Sequence, residues 1–167
     1  MSFHTSYKTK LATFILGAAA SFSSFSVYAD QAEQIQVSGA YAREVPPGAP
    51  ASASFMTLSN QSDQDIKLVE AASKAAEIVE LHTHSNDDGV MRMRKIDSIT
   101  VPAHGETVLQ PGGLHIMLIE PVEPLKMGNT VKMQLKFEDG SQKAISMPVK
   151  SLKVMTMPMQ HNHGDMH

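Results

Sequence analysis

The chain of 167 residues contains no cysteine and no tryptophan. Without a thiolate it can carry no disulfide, no thiol–disulfide exchange, no zinc-thiolate knot, no iron–sulfur cluster and no blue-copper centre. Positive charge is also scarce, with 14 Lys and Arg against 17 Asp and Glu, a formal net charge of −3. A protein that binds a polyanion normally shows the opposite balance, which argues against nucleic acid as a partner. Aromatic residues make up only 5%. What remains is enough for a core, since 42% of the residues are hydrophobic and 19% charged. The length suits one domain of ordinary size. Two residue types are abundant, with 12 methionines and 8 histidines.

The first 29 residues read as a secretory leader. Lys8 and Lys10 form a short positive region, residues 11–20 are apolar and uncharged, and Val27-Tyr28-Ala29 offers a small-residue cleavage site before Asp30. The strongly apolar part is too short to cross about 30 Å of hydrocarbon. No cysteine follows it, so a lipoprotein anchor is not expected. Removal of the leader takes two of the basic residues and no acidic one, leaving 12 against 17 in an exported, periplasmic protein. In an oxidising space a cysteine-free chain has methionine as its soft metal donor. A thioether has no proton to lose and forms no disulfide, although it can be oxidised to the sulfoxide.

Residues 30–152 read as short strands separated by turns. Alternating or apolar runs occur at 34–41, 53–58, 66–71, 75–84, 90–96, 99–101, 106–109, 114–119, 130–137 and 142–149. Between them lie strong turn signals: Pro46-Pro47-Gly48, residues 60–65, Asp88-Gly89, Pro111-Gly112-Gly113 and Asp139-Gly140. No stretch sustains a helical period, and residues 71–76 hold one helical turn at most. The expected fold is all-β, a Greek-key sandwich or barrel. After residue 152 the bulky apolar residues run out. Residues 153–167 read as a flexible tail in which Met155, Met157, Met159 and Met166 accompany His161, His163 and His167.

Two strand pairs place imidazoles beside thioethers. In the run 114–119, His115 and Met117 share one face while Leu114, Ile116 and Leu118 share the other, which reads as the core face. The Pro-Gly-Gly before it puts this pair near an end of the sandwich, as a decoration whose loss should leave the fold intact. Across Asp88-Gly89, Glu80, His82 and His84 share one face, and Met91, Met93 and Lys95 share a face of the return strand. With Asp88 and Gly89 central in the turn, Asp87 pairs with Val90 and His84 opposes Met93. His82 then lies on the diagonal, about 7–8 Å away between backbones. Periodicity alone does not choose between His82 and His84. Taken singly, a strand histidine is more often a surface or hydrogen-bonded residue than a ligand. Met56, Met127, Met133 and Met147 have no histidine at strand spacing and read as packing, and His104 reads as a solvated loop residue. The convergence of two strand pairs and a tail on one ligand chemistry raises the metal reading.

That chemistry favours copper. Thioethers select Cu(I), and imidazole suits both oxidation states. A neutral His/Met set leaves the single charge of Cu(I) or the double charge of Cu(II) uncompensated, and burial penalises the larger one. Zinc prefers harder or thiolate donors, while silver(I) would compete. The tail differs: its flexible histidines suit Cu(II).

The order His82, ten residues, Met93, twenty-one residues, His115, one residue, Met117 resembles the periplasmic copper chaperones of the PCuAC family. The strings Glu80-Leu81-His82, Gly89-Val90-Met91-Arg92-Met93-Arg94 and Pro111-Gly112-Gly113-Leu114-His115-Ile116-Met117-Leu118 are also similar, and the resemblance runs from about Val37 to Val149. It implies a cupredoxin-like β-sandwich with an exposed Cu(I) site made by His82, Met93, His115 and Met117. His84 and Met91 stand beside them as substitutes. Some members carry methionine directly after the first histidine, where this chain has Thr83. The resemblance also implies an accessory copper site in the tail. It implies delivery of copper toward the binuclear centre of cytochrome c oxidase, alongside Sco-type thioredoxin-like proteins. A copper or silver buffer without a delivery partner is the alternative. No carboxylate–histidine pair or activated nucleophile at a telling spacing supports an enzyme.

Overall fold

The structure, a computed structural model, describes residues 30–87 and 90–151. The expected leader, the Asp88-Gly89 turn and the Met/His tail lie outside the described residues. A four-residue helix α1 (Gln31–Gln34) precedes ten strands. These are β1 (Ile35–Arg43), β2 (Ala51–Asn60), β3 (Ile66–Ala72), β4 (Ala76–Asp87), β5 (Val90–Lys95), β6 (Ile99–Val101), β7 (Glu106–Leu109), β8 (His115–Pro121), β9 (Thr130–Phe137) and β10 (Gln142–Lys150). The all-β expectation holds. Residues 73–75 form a turn between β3 and β4 rather than helix.

The strands follow the order β5-β4-β8-β2-β1-β10-β9-β3-β6, with β7 also on β2. Neighbours are antiparallel except β1 and β10, which meet in parallel at Ala42 opposite Val149 and Arg43 opposite Lys150. That short join links two halves that fold over one another. Leu58, Leu81, Ile116 and Leu118 of the first half share one core with Ile66, Leu68, Met133, Leu135 and Phe137 of the second. The chain passes repeatedly between the halves, a Greek-key style of winding. Each fully buried Leu, Ile, Met or Phe side chain contributes about 1.5–3 kcal/mol. Met56, Met133 and Met147 belong to this packing, whereas Met127 is exposed.

β7 and β8 are one strand broken by a loop. Both run antiparallel to β2, along the same edge: Met56 faces Leu109 of β7, and Ser54 faces Ile116 of β8. Residues 110–114 loop out between them. The loop is pinched shut by the Gln110 N–H donating to the Leu114 carbonyl at 2.8 Å. Gly112 sits there at φ 80°, where an L side chain is strained. The break delivers β8 to the centre of its half, between β2 and β4, with His115 as its first residue.

Candidate metal centre

β4 lies between β5 and β8, and its alternation sends Leu81 into the core and Glu80, His82 and His84 to the other face. Along the β4–β8 ladder His82 stands directly opposite His115, and Glu80 opposite Met117. On the far side of β8, Met117 faces Ala53 of β2. Along the β4–β5 hairpin, Asp87 pairs with Val90 and His84 with Met93, as the two-residue turn predicts. His82 faces Lys95 there, and Met91 pairs with Asn86.

The His115 ring lies close to both imidazoles of β4. The ring centroids of His82 and His115 are 5.8 Å apart, and those of His84 and His115 are 5.1 Å apart. His115 is 2% exposed, so this ligand candidate is buried, where an exposed decoration at a sandwich end is expected from the sequence. Phe55 of β2 lies 6.4 Å from the His115 ring, and Tyr41 of β1 lies 5.2 Å from Phe55, each pair tilted by 42°. Nothing local to β8 signals this second, smaller buried patch, because Phe55 arrives from sixty residues earlier in the chain.

Hydrogen bonds fix how each ring presents itself. The Gly113 carbonyl lies 2.9 Å from His115 Nδ1. A carbonyl only accepts, so Nδ1 carries the proton and Nε2 presents a bare lone pair. Nε2 is buried and has no partner. The same carbonyl lies 3.4 Å from His84 Nδ1. His82 Nε2 lies 2.8 Å from Glu80 Oε2, and His82 Nδ1 is buried without a partner. Lys95 donates to Glu80 Oε1 at 2.8 Å. Buried polar atoms are normally satisfied, so two orphaned ring nitrogens on directly opposed residues call for a ligand.

The electrostatics favour neutral imidazole at the buried position. Burial pushes the His115 imidazole below its ordinary pKa; the Gly113 hydrogen bond opposes this, and His84, His82 and Arg43 add to the lowering. The hydrogen bonds from His82 and then Lys95 hold the Glu80 carboxyl below the usual carboxylate range. Neutral imidazole is the form that binds metal.

Among the described residues, no three His, Asp or Glu side chains come together as a metal-holding group. Thioethers are the remaining donors nearby. Met117 is partly buried and follows His115 by two positions on the same face. Met93 is 50% exposed on the outermost strand of this half. Sequence pattern placed His82, His84 and Met93 on one hairpin and His115 with Met117 on another strand. The structure brings the two sets together through the β4–β8 ladder. Glu80 and Lys95 were visible in the alternation as neighbours of His82 and Met93, but not as a hydrogen-bonded chain. The Gly113 carbonyl and Phe55 had no sequence signal. His104 is the exposed loop residue expected, paired with Asp63 at 2.6 Å.

Residues 35–149 match the family described as "LpqE-like: Putative lipoprotein LpqE-like". The "Putative lipoprotein Lxx21020" of Leifsonia xyli subsp. xyli (strain CTCB07) is 34% identical over 121 residues, 72% of each chain. The solution structure of Cu(I)-DR1885 from Deinococcus radiodurans is 41% identical, covers 67% of this chain and 75% of its own, and has a TM-score of 0.56. The copper-bound PCuAC domain from PmoF2 covers 71% of this chain and 93% of its own with a TM-score of 0.60. At 21% identity it bears on the fold alone.

Proposed function

The chain belongs to the LpqE-like (PCuAC) family, and on that premise we propose that it is an exported copper metallochaperone rather than an enzyme. Its domain binds Cu(I) through His82, Met93, His115 and Met117. Residues 1–29 direct it to the periplasm and are removed, residues 30–152 form the copper domain, and residues 153–167 supply an accessory site that takes Cu(II). The recipient is the binuclear copper centre of cytochrome c oxidase, reached directly or through a Sco-type protein.

One observation carries the metal assignment: His82 Nδ1 and His115 Nε2 are buried without partners on residues that face each other. Met117 adds a soft donor on the same face, and neutral imidazoles with thioethers suit Cu(I) over Cu(II). The likeness to Cu(I)-DR1885, at 41% identity, supports the same choice of metal. Among the described residues, no helix is long and apolar enough to cross a membrane.

The test has two parts. Competition against a chromogenic Cu(I) chelator should give one tight equivalent at the domain, lost in His115→Ala and Met117→Ala. Loaded protein should then pass copper to an apo oxidase copper subunit or a Sco-type protein faster than free copper exchange allows. Tight binding without transfer would replace delivery by buffering.

A further inference from the structure

Each of the two orphaned ring nitrogens depends on the hydrogen bond made by the other nitrogen of its ring. For His115 the partner is a main-chain carbonyl, that of Gly113, and the outcome is Nδ1–H with Nε2 bare. For His82 the partner is a side chain, Glu80, at 2.8 Å, and the outcome is reversed. A carboxylate only accepts, so the proton stays on Nε2 and Nδ1 is bare. The two rings thus leave different nitrogens bare, Nδ1 on His82 and Nε2 on His115.

Glu80 is itself held in place. It stands two residues before His82 on the same face of β4, and its other oxygen accepts from Lys95 across the hairpin at 2.8 Å. Its side chain is mostly covered while that of Lys95 is 63% exposed. Lys95 steadies the carboxylate but does not touch the ring.

We propose that Glu80 is a positioning residue for copper binding: its carboxylate keeps the proton on His82 Nε2 and so makes Nδ1 the donor atom. The role rests on His82 being a Cu(I) ligand. Partners that orient a metal-binding imidazole in this way are worth about 10–100-fold in affinity. Glutamine at this position offers both a donor and an acceptor, so it no longer dictates which nitrogen is protonated. Lys95 makes a largely exposed ion pair, and such pairs contribute little.

The experiment uses the full chain, first without metal and then with substoichiometric Cu(I). Long-range proton–nitrogen correlation of the histidine side chains at about pH 8, above the ordinary imidazole range, reads the tautomer. Wild type and Lys95→Ala should show His82 with Nε2–H. Glu80→Gln should show a mixture or the Nδ1–H form, with an otherwise unchanged spectrum. Chelator competition should find Cu(I) affinity about 10–100-fold weaker in Glu80→Gln and near wild type in Lys95→Ala. His82→Ala provides the separating control. If it loses affinity while Glu80→Gln changes neither tautomer nor affinity, Glu80 has no positioning role. If His82→Ala binds Cu(I) as well as wild type, the ligand assignment itself fails, whatever the tautomer shows.

Discussion

His82 and His115 face each other across β4 and β8, their rings 5.8 Å apart, and each ring has one nitrogen held by the protein and one buried without a partner. The held nitrogens set the tautomers; the free ones are the atoms proposed to meet the metal. His84 also lies close to His115 but lacks this signature: its Nδ1 is 3.4 Å from the shared Gly113 carbonyl, and neither of its nitrogens is among the buried unpartnered atoms.

His82→Ala and His115→Ala should therefore each weaken Cu(I) binding by about 100-fold or more, exceeding the loss of an outer partner. His84→Ala should cost less than either. The two severe variants should differ in stability. His115 is packed beneath Phe55, so its truncation leaves a cavity and should cost about 1–3 kcal/mol. His82→Ala should cost less. Chelator competition and thermal unfolding of the apo proteins measure both. A worse copper lesion in His84→Ala would reassign the ligand.

The methionines should separate by oxidation. Met93 at 50% and Met127 at 59% are exposed, while Met56, Met133 and Met147 are buried. Among the methionines of described exposure, brief peroxide treatment should convert Met93 and Met127 to sulfoxides first. Peptide mass spectrometry reads the order. Cu(I) affinity should fall with Met93 oxidation, because a sulfoxide oxygen is a hard donor, and should fall equally in Met127→Leu, which removes Met127 and leaves Met93 open to oxidation. Early modification of Met133 or Met147 would contradict the packing described here.

Acid should loosen the amino-terminal helix through Asp139. Burial alone would raise this carboxyl, but hydrogen bonds from Ser141 and Gln31 pull it below its usual value. Its Oδ2 accepts from the Gln31 N–H at 2.8 Å, tying α1 to the β9–β10 turn. A folded pKa below the unfolded one means the unfolded chain binds the proton more readily. The stabilisation is present above about pH 3.9 and is lost as pH falls through the folded value. Urea unfolding of wild type and Asp139→Asn from pH 6 down to about pH 2.5 tests it. The difference between them should shrink toward acid; a constant difference would remove the carboxylate from the account.

Deletion of residues 155–167 should leave a folded domain that keeps its Cu(I) equivalent but loses most Cu(II) uptake. Three histidines on that segment can gather Cu(II), at an entropic cost for ordering the chain. Uptake should fall below about pH 6.5 as imidazoles protonate. Metal counting and Cu(II) electron paramagnetic resonance on both lengths decide it. Full Cu(II) binding by the truncated chain would leave the tail without a metal role.

The sequence alone determined whatever depends on near neighbours. Alternation marked β6, β7 and β9 at 99–101, 106–109 and 130–137, because a half-buried strand must repeat every second residue. A two-residue turn leaves a hairpin one register, so the pairing of His84 with Met93 is legible in the sequence itself. Residue chemistry named the donors, since without cysteine the soft ligand is a thioether. Tertiary structure decided which strands became neighbours. Only the β4–β8 ladder sets His82 against His115, and only the β2–β8 pairing brings Phe55 over that ring and buries it. The looped break between β7 and β8 turns the Gly113 carbonyl onto the His115 ring. Those contacts join segments far apart in the chain, and their pairing follows from how both halves close on one core, a condition that no local pattern of residues encodes.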